Sequence, residues 1–213
     1  MKKNLDLELK NVVDWVLGKL NDFFRIDSFK EHTKQYISTE YQKGLDKVEV
    51  QLQMNFVPDH QELNFLTDYV QNNLQFATDE VGNKLRQVIS RSQLDGLTTN
   101  QLRQQVKQTL DDSQYTQRLK TIIRTEGLRA SNYGSLQGAK QSGLNLRKWV
   151  DIVDDNRTSV ICHLEDSKYG SPEKAVPLDE DFVVKYDNKI VRSQAPPFHP
   201  NCRSVLRISV VRE

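Results

Sequence analysis

The spacing of apolar residues changes near Gly143, and this change restricts the chain to a mixed architecture. Upstream, apolar residues recur three and four apart, the repeat of a helix with one buried face. Downstream come short β-prone runs, and five of the six prolines (Pro172, Pro177, Pro196, Pro197 and Pro200) fall there. Proline fixes φ and removes a backbone donor, so it punctuates loops rather than long elements. The expected fold is α+β: a mostly helical N-terminal body with long helices, then a small C-terminal mixed module with a short antiparallel sheet. The expected regions are 1–75 (helical), 76–143 (a second helical part) and 144–213 (a small β-rich module carrying Cys and His).

Composition explains why the helical part should be extended. Hydrophobic residues make up 37% and charged residues 28% of the 213 positions. Such a balance suits long helices with narrow apolar stripes better than one large core. Leu9, Val13, Val16, Leu20 and Phe23 outline a first helix. Ser28 and Glu31 have capping-box spacing before a second, whose inward face would carry Phe29, Tyr36, Tyr41, Leu45, Val48 and Leu52. Pro58–Asp59 should end it, with Asp59 capping a helix that buries Leu63, Leu66, Val70 and Leu74. Thr78 is expected to open another, Asp95–Gly96 to form a turn, and Thr98–Gln101 to cap a helix with Leu102, Val106 and Leu110 inward.

A long helix should run from Ser113 until Gly143 stops it. On one face it carries Gly127, Ser131, Gly134 and Gly138. Each mid-helix glycine costs about 1 kcal/mol relative to alanine, so several on one face imply close approach of another backbone, within the chain or from a partner. Arg124 and Glu126 lie on this helix, with Arg129 and Asn132 one turn further; the functional reading is a polar cluster around a buried Arg–Glu ion pair, and the alternative is an ordinary solvated helix segment. Beyond Gly143, Leu146–Val153 reads as a strand, Phe182–Tyr186 and Lys189–Val191 as a hairpin turning at Asp187–Asn188, and Arg203–Val211 as a closing strand.

Lys and Arg total 30 against 29 Asp and Glu, a net charge of +1. This gives no global attraction to nucleic acid or an anionic membrane. Nothing approaches the roughly 20 apolar residues of a membrane helix, and the N-terminus lacks the apolar run of a signal peptide. No glycine-rich phosphate loop or Gly-x-Ser-x-Gly elbow is present, and Asp154–Asp155–Asn156 reads as an Asx turn rather than a set of catalytic carboxylates. The chemistry of interest lies in Cys162 and His163, answered by His199 and Cys202. Cys162, His199 and Cys202 offer soft or borderline ligands suited to zinc, with His163 a fourth candidate and Asp154, Asp155 or water as alternatives. The same residues allow free buried thiols or a disulfide.

The ordered series Arg124-Thr-Glu126, Arg129-Ala-Ser-Asn132, Gly134, Gly143, Trp149, Asp155 with Arg157-Thr-Ser159, Cys162, and Pro197-Phe-His199-Pro-Asn201-Cys202-Arg203 resembles the phage head-morphogenesis family of minor head proteins similar to the Mu F protein. The resemblance spans roughly Leu74 to the C-terminus. It implies a non-enzymatic virion component, located at the portal vertex inside the head and in the host cytoplasm during assembly. The implied partners are the portal protein, with major capsid or scaffolding protein and weakly held DNA as further ones, and the implied roles are assembly, DNA packaging or DNA delivery. Family members often carry Cys or His where Cys162 stands, which favours one structural zinc ion over a disulfide. The sequence departs from the family's pattern at Leu164-Glu-Asp166-Ser167, where a glycine is often found, and at Ser204, where a second cysteine often follows. A zinc-stabilised nucleic-acid binder, using Lys189, Arg192, Arg203, Arg207 and Arg212, and a toxin-related enzyme are the alternatives. With the chain ending at Glu213, no added catalytic domain is expected.

Overall fold

A computed structural model describes residues 26–94, 99–110 and 113–211. The expected first helix at Leu9–Phe23, the Asp95–Gly96 turn and the Thr98 cap lie outside the described residues. Among the described residues four helices come first: α1 (Ile26–Leu52), α2 (His60–Leu94), α3 (Thr99–Leu110) and α4 (Ser113–Gln141). Then follow β1 (Leu146–Asp151), α5 (Val160–Tyr169), a 3-10 turn (Pro172–Lys174), β2 (Val176–Pro177), β3 (Phe182–Tyr186), β4 (Lys189–Ser193) and β5 (Val205–Val210). The architecture is α+β. No helix among the described residues is long and apolar enough to cross a membrane.

Two compact units divide the chain. Among the described residues, one comprises those up to Thr33 with those of Gln71–Lys120, and the other Lys34–Val70 with those from Thr121 onward. In the first, Leu74, Val81 and Val106 are buried, and Arg118 pairs with Glu80. The second contains the sheet and the candidate site, and the change of apolar period near Gly143 falls inside it.

Several helix boundaries differ from those the sequence suggests. Ser28 lies within α1, which already includes Ile26, and so is not its cap. The helix stops at Leu52, well before Pro58, because Gln53 takes a left-handed φ of 55°. Asp59 caps α2 by accepting from the amides of Gln61 (2.8 Å) and Glu62 (3.1 Å). No helix begins at Thr78: α2 runs unbroken to Leu94, since no proline interrupts it and a mid-helix threonine costs only a few tenths of a kcal/mol.

Within the second unit α1 packs along α4. Ile37, Tyr41, Leu45 and Val48 are buried on α1, opposite the small-residue face of α4. A Cβ added to Gly44 would collide with the Ser131 carbonyl, and one on Gly134 with the Tyr41 carbonyl. Gly127 receives the Tyr36 ring, and Gly138 receives Phe56, Leu45 and Val48. The Ser135 hydroxyl bonds the Gly44 carbonyl at 2.9 Å. That face of α4 is thus filled from within the chain. α4 ends where Gly143 adopts φ 65°, a conformation that favours glycine.

The sheet has the order β2-β1-β5, all antiparallel, with Leu146 opposite Val210 and Asp151 opposite Val205. Leu146, Lys148 and Val150 of β1 point inward. The β3–β4 hairpin turns at Asp187 and Asn188, both at positive φ (48° and 58°), as a two-residue turn matched to strand twist requires. Helix α5, the 3-10 turn and β2 are elements the sequence pattern does not announce.

Candidate metal centre

The site forms where the start of α5 meets the loop entering β5. Ser159 caps α5: its hydroxyl accepts from the Cys162 amide at 3.2 Å. This places the Cys162 side chain in the first turn, where free amides and the helix dipole favour a thiolate. Across from it, residues 196–204 are held by two side chains of α4. The Asn132 amide donates to the carbonyls of Pro196 (3.1 Å) and Ser204 (3.2 Å), and its oxygen accepts from the Leu206 amide (2.9 Å). The Thr125 hydroxyl accepts from the amide of Asn201, which sits at φ 61°.

Cys162, His199 and Cys202 converge, with their ligand atoms all within 4.8 Å of one another. Cys162 Sγ lies 3.0 Å from His199 Nε2 and 3.9 Å from Cys202 Sγ. Both cysteines are buried and unbonded to each other. His199 Nδ1 donates to the Pro200 carbonyl at 2.7 Å, which turns Nε2 toward the sulfurs. Two hydroxyls complete the surround. Ser159 Oγ is 2.7 Å from His199 Nε2, and Ser204 Oγ is 3.3 Å from Cys202 Sγ and 3.4 Å from Cys162 Sγ.

The two thiols titrate as a pair. The Cys202 thiol donates to Cys162 and holds the Cys162 pKa low, with His199 and both serines helping; burial opposes this. The same bond raises the pKa of Cys202, with burial adding to the effect. Contact with Cys162 raises the pKa of His199, against burial. The cluster is therefore poised to carry anionic sulfur beside a basic imidazole, the donor set that a borderline divalent cation such as zinc accepts. Zinc fits these residues: a ring nitrogen and two sulfurs from separate segments face one centre.

Not every sequence candidate joins the cluster. His163 points outward, its side chain 51% exposed and its ring 3.8 Å from the Asp154 carboxylate. Successive helix residues are about 100° apart, so with Cys162 directed inward His163 faces elsewhere. Asp154 is also exposed. Asp155 is engaged by the Arg203 guanidinium at 2.8 and 2.5 Å, which holds its carboxyl well below the usual carboxylate range. Its Oδ1 also accepts from the Arg157 amide at 2.8 Å, forming the Asx turn. Glu126 pairs with Arg129 (2.7 Å) rather than with Arg124, which is exposed. Residues three apart share a helix face, whereas residues two apart diverge. Arg129 also lies over the Tyr69 ring, 5.2 Å from its centroid.

Ser159, Ser204, Thr125 and Glu165 belong to the surroundings of the site and were not signalled by the sequence as candidates. Glu165 is the most unusual. It is fully buried one turn beyond Cys162, and neither carboxylate oxygen has a hydrogen-bond partner among the described residues. Burial pushes its carboxyl up to about 9, with the Cys162 charge adding to the effect. A groove of about 1080 Å³ between α1 and the β1–β5 face is lined by Trp149, Val50 and Ile208 among others and includes none of the cluster residues.

A family model described as Phage Mu protein F like protein matches residues 81–207, more than half of the chain and including every residue of the cluster. No curated protein and no solved structure matches the chain.

Proposed function

The chain belongs to the Phage Mu protein F like family, and on that premise we propose that it is a minor head protein of a tailed phage or prophage, bound to the portal inside the procapsid. Its role there is structural: it aids capsid assembly, DNA packaging or DNA delivery and catalyses no reaction. The observation that carries this reading is the family match over 81–207, which spans both the glycine-faced helix α4 and the Cys–His–Cys cluster. Within the reading, Cys162, His199 and Cys202 hold one structural zinc ion. The ion ties the loop entering β5 to the start of α5 and so fixes the module that α4 supports. Gly127, Gly134, Gly138, Asn132 and the Arg129–Glu126 pair keep that support rigid, and Arg124, exposed on the same helix, is left for a partner. Arg203 and Arg207, two cations of the nucleic-acid alternative, are engaged by Asp155 and Asp151, which favours protein partners over strong DNA binding.

The test is fractionation of assembling particles from a strain expressing the tagged chain together with its own portal protein. We expect the chain in portal-containing procapsids and in complexes pulled down with portal alone. Recovery only as free protein, in neither heads nor portal complexes, would sink the proposal.

A further inference from the structure

We infer that a polar cleft between α2 and α3, within the first unit, receives an acidic segment of the portal protein. This rests on the portal reading above and names the surface that serves it. Over residues 81–110 the sequence has Lys84, Arg86, Arg91, Arg103 and Lys107 against a single acid, Asp95, in a chain of net charge +1. On α2, Lys84, Gln87 and Arg91 are spaced three and four apart, and on α3 Gln105 and Gln108 are three apart. Such spacing puts each set on one face of its helix. The two faces enclose a cleft of about 500 Å³, with Val88 also in its wall.

The charge of the cleft is of one sign. No carboxylate lines it among the described residues. Lys84 reaches Glu80 only at 3.9 Å, and Arg118 holds that carboxylate more closely. Arg91 is exposed and has no ion-pair partner among the described residues. Two cations seven positions apart on a helix stand about 10 Å apart along its axis. Two carboxylates match that span when seven apart on a partner helix or about three apart on a strand. Each glutamine amide both donates and accepts, so Gln87, Gln105 and Gln108 can serve carboxylates and peptide groups alike. A phosphodiester backbone only accepts and would leave half of that capacity unused. A concavity of this size takes a few side chains rather than a duplex. Its two lining cations also neutralise too few phosphates, since affinity for DNA is built from many such contacts.

The experiment measures binding of the full chain to its own portal protein and, separately, to a short DNA duplex of random sequence. It compares wild type with the double variant Lys84→Glu, Arg91→Glu and with a control, Lys34→Glu, Lys120→Glu, which reverses two exposed cations outside the cleft. We expect the cleft variant to bind portal at least about tenfold more weakly, because it sets like charges against each other. The control should bind as wild type, and added salt should weaken the wild-type complex. Circular dichroism and a thermal melt check folding; if the reversal unfolds the chain, Lys84→Gln with Arg91→Gln takes its place and should also weaken binding. Portal binding that neither pair of changes in the cleft alters would overturn the inference and leave the portal reading standing. An equal loss in the control would trace the effect to net charge and overturn it too. A loss confined to the DNA duplex would make the occupant a nucleic acid and overturn the assignment to a protein segment. A wild type that binds no portal would overturn the portal reading and this inference with it.

Discussion

Asn132 does more for the site than its distance in sequence from Cys202 suggests. Its side chain is buried, and it uses both amide hydrogens and its oxygen to tie the Pro196, Ser204 and Leu206 backbones to α4. Asn132→Ala strands three buried backbone groups, each worth about 1–3 kcal/mol when left unsatisfied, so we expect a loss of at least about 3 kcal/mol. Urea unfolding with an unchanged m-value would measure it. Lys148 makes a second residue-scale case. It is fully buried in β1, donates to the Leu178 and Gln194 carbonyls at 2.9 and 2.8 Å, and lies over the Phe182 ring. Burial lowers its pKa from 10.5 to about 8, with Lys140 contributing. Below about pH 8 both folded and unfolded chains keep this proton. Between there and 10.5 the unfolded chain binds more protons than the folded one, so Lys148 makes stability rise with pH. The difference in urea midpoint between wild type and Lys148→Met, followed from pH 7.5 to 10, should widen in favour of wild type. Parallel curves would contradict this.

At the scale of elements, the packing of α1 on α4 depends on glycine. Gly44→Ala and Gly134→Ala should each push the helices apart and destabilise by about 2 kcal/mol or more, since backbone atoms rather than flexible side chains block the added methyl. Gly82→Ala, with nothing within 4 Å, should instead stabilise by up to about 1 kcal/mol. Thermal melts of the three variants would show opposite signs. Elements of this kind were legible in the sequence because local chemistry specifies them. The glycine spacing on α4, the Asp59 cap, the Gly143 stop and the Asp187–Asn188 hairpin each rest on a few neighbouring residues. Helix α5 was not legible, because it is short and its inward face is Cys162, Glu165 and Tyr169 rather than an aliphatic stripe. Nor was the end of α1, which Gln53 sets without glycine or proline. In the site, ligand chemistry singled out Cys162, His199 and Cys202. The outward turn of His163 and the burial of Glu165 depend on α5, and the Asn132 bonds depend on pairings across more than sixty residues.

For the whole molecule, the arrangement makes one ion a long-range tie. α5 and the loop entering β5 are separated by the β3–β4 hairpin, and the cluster brings together Cys162 and Cys202, 40 positions apart. A metal that binds the folded arrangement and not the unfolded chain adds its binding free energy to stability, less any affinity the unfolded thiols retain. A chelator should therefore lower the melting temperature of zinc-loaded protein by several degrees or more, and added zinc should restore it. Cys202→Ser should melt near the chelated wild type and gain nothing from zinc. His163→Ala, altering an exposed side chain outside the cluster, should behave as wild type in both conditions. Because the cluster lies wholly in the unit of Lys34–Val70 and Thr121 onward, the shift belongs to that unit. If the units melt in separate steps, the step of the other should not respond to chelator. Metal-free protein with both thiols freely titratable and a melt indifferent to zinc would show that the staple is made by packing and hydrogen bonds alone.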